Sequence, residues 1–128
     1  MSSTTVLTAA HCKTDVSLFS VVVGDYDVTT TDSGEQSITP QEWINHPNYN
    51  EFTTDNDFAI IQLSSPVTFS STVSPICLPS TSDNYENTVA TVTGWGTLAY
   101  QGSVPNILQK VVFSRSSKLT KLSSSLFR

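Results

Sequence analysis

The sequence predicts an all-β protein assembled from short strands. Val, Ile, Thr, Phe, Tyr and Trp recur along its 128 residues, and these side chains favour a pleated backbone. Only 13% of the residues are charged, which argues against solvated helical bundles. Runs of strand-forming residues are also interrupted by Gly, Pro, Asn, Asp and Ser at the spacing of a barrel or sandwich.

The elements follow in order. Thr5 to Thr8, Leu18 to Val23, Gln36 to Ile44, Phe58 to Leu63 and Thr88 to Thr93 are predicted strands by their β-branched and aromatic content. The connectors are Gly24 to Gly34, His46 to Asp57, Ser64 to Pro79 and Ser80 to Asn87, where turn-forming residues cluster. No internal repeat stands out.

The formal charge of −5 argues against nucleic-acid binding, which needs clustered cations to neutralise phosphates. There is no run of about eighteen apolar residues to cross a membrane. Met1 to Thr5 lacks the basic start and apolar stretch of a secretory signal. Charge is unevenly distributed. Residues 1 to 113 hold all 11 acidic residues and, of the basic ones, only Lys13 and Lys110. Residues 114 to 128 carry Arg115, Lys118, Lys121 and Arg128, with six serines and no acidic residue. A basic flexible tail, a weakly amphipathic segment and residues read from another frame or splice choice all fit that composition. The expected organisation is a folded region over 1–112 and a Ser-rich tail of uncertain origin over 113–128.

Two segments carry the chemistry. Thr8-Ala9-Ala10-His11-Cys12 places a histidine at the end of a strand, and Asn56-Asp57-Phe58-Ala59-Ile60-Ile61-Gln62-Leu63 places an aspartate 46 positions later at the start of another. Singly, such a histidine is more often structural, and such an aspartate more often a cap or turn residue. As an ordered pair they carry more weight. With His46-Pro47-Asn48-Tyr49-Asn50, Ser74-Pro75-Ile76-Cys77-Leu78-Pro79 and Gly94-Trp95-Gly96, this chain resembles the trypsin and chymotrypsin family over roughly residues 5 to 112.

The resemblance implies an incomplete six-stranded Greek-key β-barrel, the first barrel of the two-barrel trypsin-like fold, followed by the start of a linker. It implies His11 as general base and Asp57 as the carboxylate that fixes its tautomer and stabilises the imidazolium. The family's nucleophile lies in a G-D-S-G-G-P segment after the aspartate, and none follows Asp57 here. Asp32-Ser33-Gly34 precedes Asp57 and does not have glycines flanking it on both sides, and the tail serines have no glycines to build an amide cradle. In a related triad, loss of the serine costs on the order of 10⁶ in turnover. The expectation is a serine endopeptidase by family, inactive as this chain alone; the alternatives are a non-catalytic homologue that binds a partner and an unrelated β-barrel module.

The resemblance also implies an extracellular parent acting on polypeptide substrates or bound by protein inhibitors, with no nucleic-acid or membrane partner. The family's amino-terminal I-V-G-G-like segment has no counterpart before Val6. Cys12 and Cys77 would pair with cysteines outside this chain; a direct Cys12–Cys77 bridge is the alternative and would need a Cα separation of about 4.4–6.8 Å. No cofactor is required. A structural Ca²⁺ is the one metal expectation: Asp25, Asp32 and Glu35 have the spacing of the calcium loop in calcium-binding trypsins, although glutamates stand there in place of the two aspartates. A solvated acidic turn is the favoured reading of the same residues. Trp43, Tyr49 and Trp95 are read as core or interface aromatics. An opened barrel exposes strand edges and apolar faces, so marginal stability is expected.

Overall fold

A computed structural model describes residues 2–80, 82 and 85–114. The tail beyond Ser114 therefore lies outside the described residues. The described chain is nearly all β: seven strands and two single-turn 3-10 helices. The strands form three separate sheets, and no closed barrel is present among the described residues. A β-rich chain with unclosed sheets is what the sequence leads one to expect of an incomplete barrel. The chain divides into two compact units, Met1–Asp25 with Ser33–Leu78, and Tyr26–Asp32 with Pro79–Arg128.

The first unit holds β1 (Thr5–Thr8), β2 (Val21–Val23), β3 (Gln36–Ile38), β4 (Pro40–Asn45) and β5 (Ala59–Leu63). β5 is the central strand of an antiparallel sheet ordered β1-β5-β4, and β2 pairs with β3. Along β5, Ala59, Ile61 and Leu63 are buried while Ile60 is exposed, the period-2 alternation of a strand with one face on the core. Ile61 and Leu63 join Ile38 as the buried centre, with Val6, Phe19, Val21, Val23, Trp43 and Val67 packed around them. Phe19 meets Trp43 edge to face, with ring centroids 6.0 Å apart. The Trp43 indole donates to Asn45 Oδ1 at 2.7 Å, which satisfies its polar edge beside the core.

Local chemistry redraws two expected strands. The run Leu18 to Val23 shortens to Val21–Val23 because Asp15 caps a 3-10 turn over Val16–Leu18, accepting from the Ser17 amide at 2.9 Å. The long run Gln36 to Ile44 divides at Thr39, where the chain leaves β2 and joins β5. Pro40 opens β4 without an amide hydrogen to donate, and the register shifts between Pro40 and Glu42. Gly24 ends β2 at φ +80°; a Cβ there would stand 3.0 Å from Val73 Cγ2 and 3.2 Å from the Gly34 carbonyl oxygen.

The second unit contains β6 (Val89–Gly94) antiparallel to β7 (Gln109–Ser114). β7 is not among the expected strands. It runs through Phe113 and Ser114, which pair with Ala90 and Val89, past the point at which the composition changes. The segment Tyr26–Asp32 joins this unit through a bridge between Asp27 and Ile107 and a bond from the Leu108 amide to the Tyr26 carbonyl at 2.9 Å. Among the described residues no helix is long and apolar enough to cross a membrane.

Candidate active site

The geometry around His11 is set by one rung of the sheet. Thr8 at the end of β1 pairs with Ala59 at the start of β5. Three residues beyond Thr8 the chain reaches His11, and two residues before Ala59 stands Asp57. After Thr8, Ala9 is extended (φ −84°, ψ 139°) and Ala10–Cys12 turn into a 3-10 helix. Ala10 is 1% exposed, so the turn is seated on a side chain with no room to grow. That turn brings His11 to Asp57, just before β5.

Asp57 grips His11 twice. Oδ1 accepts from the His11 backbone amide at 2.9 Å, and Oδ2 lies 2.7 Å from the ring Nδ1. The first bond fixes the backbone and the second fixes the ring. The side chains are 47% exposed for His11 and 24% for Asp57. The ring hydrogen bond to His11 is the leading cause that holds the Asp57 carboxyl below its ordinary range. An ionised carboxylate can only accept, so a neutral imidazole facing it carries its proton on Nδ1 and keeps the Nε2 lone pair open. The pair can therefore take a proton at Nε2 and stabilise the resulting cation.

Asp57 is itself delivered by a tight loop. Asn56 adopts φ +56°, which asparagine tolerates, and Thr54 adopts φ +57°, which a β-branched residue rarely does. Asn56 Nδ2 donates to the Asn48 carbonyl at 3.0 Å, the Phe58 amide to the Asn56 carbonyl at 2.8 Å and the His46 amide to the Phe58 carbonyl at 3.0 Å. The other histidine takes no part in the pair: the His46 ring packs on Phe58, centroids 4.4 Å apart, and its Nδ1 accepts from the Asn48 amide at 3.3 Å. In the sequence Asn56 stands out only as part of a motif; its positive φ is invisible there.

The remaining expected site residues are distributed as follows. Cys12 and Cys77 are both exposed free thiols, so the alternative bridge between them does not form. Cys12 Sγ lies 3.4 Å from His11 Nε2, a contact the sequence does not suggest. Asp25 and Glu35 fall in the first unit and Asp32 in the second. All three are half-buried, and Asp32 Oδ2 accepts from the amides of Tyr26 at 2.6 Å and Asp27 at 3.0 Å, the work of a turn cap. Asp27 caps in turn the amide and hydroxyl of Thr29 at 3.0 and 2.6 Å.

Comparison with known families decides the identity of the fold: the family described as Trypsin matches residues 1–125. The chain belongs to the trypsin family. It is 38% identical over 114 residues to the serine protease filzig of Drosophila melanogaster, covering 87% of this chain and 7% of that protein. It is 42% identical over 95 residues to the vitamin K-dependent protein C of Mus musculus, covering 71% of this chain and 21% of the relative. Trypsin-1 of Astacus astacus is 36% identical over 110 residues, 82% of this chain and 46% of its own length. This member of the trypsin family thus spans less than half of each of these relatives.

Proposed function

We propose that the chain supplies the general base and the orienting carboxylate of a serine endopeptidase, with His11 as the base and Asp57 as its orienter. The observation that carries this reading is the 2.7 Å contact between His11 Nδ1 and Asp57 Oδ2. It leaves Nε2 as the group that would take the proton of an attacking hydroxyl and later return it to the leaving amine. Asp57 stays ionised throughout and stabilises the imidazolium.

The hydroxyl itself would come from a further segment carrying glycine-flanked serine and its amide donors, which residues 1–128 do not contain. The 128-residue chain by itself therefore does not hydrolyse peptides. Polypeptides are the substrate class, protein inhibitors the partner class, and the extracellular space the place of action. No cofactor enters this chemistry, and a calcium titration followed by the thermal midpoint distinguishes an ion held by Asp25, Asp32 and Glu35 from a solvated turn.

The test joins this chain to a segment bearing a G-D-S-G-G-P run and compares the two polypeptides on a protein substrate. Only the joined form should turn over, and His11→Gln or Asp57→Asn should abolish it. Turnover by the 128-residue chain that survives His11→Gln would overturn the proposal. A joined form that folds and binds but never cleaves would favour a non-catalytic binding homologue.

A further inference from the structure

Asp57 holds His11 only while its own backbone is aimed, and the chain on its two sides is pinned by different means. After it, Ala59 is locked into β5 between Thr8 of β1 and Asn45 of β4. Before it stands Asn56, outside any strand, at φ +56°. The Asn56 carbonyl accepts from the Phe58 amide at 2.8 Å, so Asp57 is the middle residue of a three-residue turn. The first residue of that turn is tied sideways, because Asn56 Nδ2 donates to the Asn48 carbonyl at 3.0 Å. The tie is braced: Asn48 lies inside a turn closed by the Tyr49 amide on the His46 carbonyl at 2.9 Å, and the His46 amide donates to the Phe58 carbonyl at 3.0 Å. Thr54, two residues earlier, holds φ +57°, a conformation that a β-branched residue keeps only where its surroundings impose it.

We propose that Asn56 is a positioning residue for the His11–Asp57 pair and acts through its side-chain amide. The position makes two demands, a left-handed backbone and an NH₂ that donates to a carbonyl, and asparagine meets both. Glycine meets only the first, and alanine meets neither. Aspartate tolerates the backbone but cannot donate, and it would set a second carboxylate next to Asp57. Asn48 gives the tie only its backbone carbonyl, so its own side chain is dispensable. The role rests on the reading of His11 and Asp57 as base and orienter, yet the tie is legible without any peptide cleavage, from the ring nitrogen of His11 that carries the proton. With Asp57 held in place that nitrogen is Nδ1; with Asp57 loosened the proton passes to Nε2, which must stay open for the ring to act as a base.

The 128-residue chain is isotope-labelled at its histidine ring nitrogens, and the shifts of neutral His11, identified as those lost in His11→Gln, report its tautomer. Asn56→Gly should move the ring from the Nδ1–H form toward the Nε2–H form, and Asn56→Ala should move it further. Asn48→Ala should leave it where the parent has it. In the chain joined to a segment bearing a G-D-S-G-G-P run, Asn56→Gly should lower kcat about fivefold and keep KM within about twofold, because an exposed neutral hydrogen bond contributes modestly and a misplaced base slows turnover rather than binding. A joined form that never cleaves, with the tautomer shift present, defeats the peptidase reading alone and supports the tie. The unsubstituted protein supplies a readout that survives misfolding of a variant: the carboxamide hydrogens of Asn56 should exchange with water more slowly than those of Asn48. A folded Asn56→Gly chain with the parent tautomer, or equal exchange at the two carboxamides, overturns the proposal.

Discussion

Replacing Asp57 by asparagine removes one acceptor from a side chain that uses two. Oδ1 serves the His11 amide at 2.9 Å and Oδ2 the ring Nδ1 at 2.7 Å. An amide offers a single carbonyl oxygen and an NH₂ that can only donate. The substituted side chain therefore keeps either the backbone bond or the ring bond, or it turns its NH₂ toward the ring and draws the proton to Nε2. A hydrogen bond to a charged group contributes about 1.5–3 kcal/mol when sheltered from water. With the His11 side chain nearly half exposed and one acceptor retained, solvent screening reduces the expected loss to about 1 kcal/mol. Urea unfolding of the two chains measures it directly, as a lower midpoint at unchanged slope. The rest of the chain should keep its fold, because its buried centre is built from Ile38, Ile61 and Leu63 with the apolar side chains packed around them, and neither His11 nor Asp57 is among these. Equal midpoints within about 0.3 kcal/mol would refute the double grip as a structural tether.

Acid should reproduce part of this loss in the unsubstituted protein. The Asp57 carboxyl titrates below its ordinary value in the folded chain, chiefly through its bond to the His11 ring, so the unfolded chain binds the proton first as pH falls. Its contribution is complete above the unfolded value of about 3.9 and disappears as pH falls through the lowered folded one; the difference in stability between the parent and Asp57→Asn should shrink correspondingly below about pH 4 in acid titrations followed by circular dichroism. Ile61→Ala should cost about 2–4 kcal/mol in denaturant unfolding, whereas Ile60→Ala, at a position 39% exposed on the opposite face of the same strand, should cost less than about 1 kcal/mol. Gly24→Ala should destabilise by more than about 1 kcal/mol in the same assay, since alanine must hold φ +80° with its Cβ 3.0 Å from Val73 Cγ2; a neutral result would mean that the β2 turn relaxes.

Much of this arrangement is legible in the residues alone, and the exceptions have identifiable causes. β1 is read with the bounds it adopts, and β5 to within a residue, because Ala59 to Leu63 combine strand composition with clear turn chemistry before and after them. Gln36 to Ile44 reads as one strand because composition does not reveal that Pro40 marks a change of partner from β2 to β5. β7 is missed because Gln109-Lys110-Val111-Val112-Phe113-Ser114 abuts the basic, Ser-rich tail, and its pairing with Val89 to Gly94 is non-local. The pairing of His11 with Asp57 is suggested by two motifs 46 residues apart, yet neither motif shows that the carboxylate also holds the His11 backbone. The position of Cys12 against Nε2 depends on how a single 3-10 turn closes, which no pattern of residue types encodes.

The rung between Thr8 and Ala59 gives the His11–Asp57 contact a second use, as a gauge of alignment. A slip of β1 along β5 by one residue would displace one side chain by about 3.3 Å relative to the other, enough to part both hydrogen bonds. The same slip would turn Val6 away from the core and present Leu7 to it, exchanging two apolar side chains that a burial-based probe would scarcely tell apart. The hydrogen bond from the His11 ring to Asp57 distinguishes them. A resonance from the proton of that bond is expected only in chains whose two strands have found the correct pairing, so its intensity would count correctly aligned molecules in a population that otherwise looks uniformly folded.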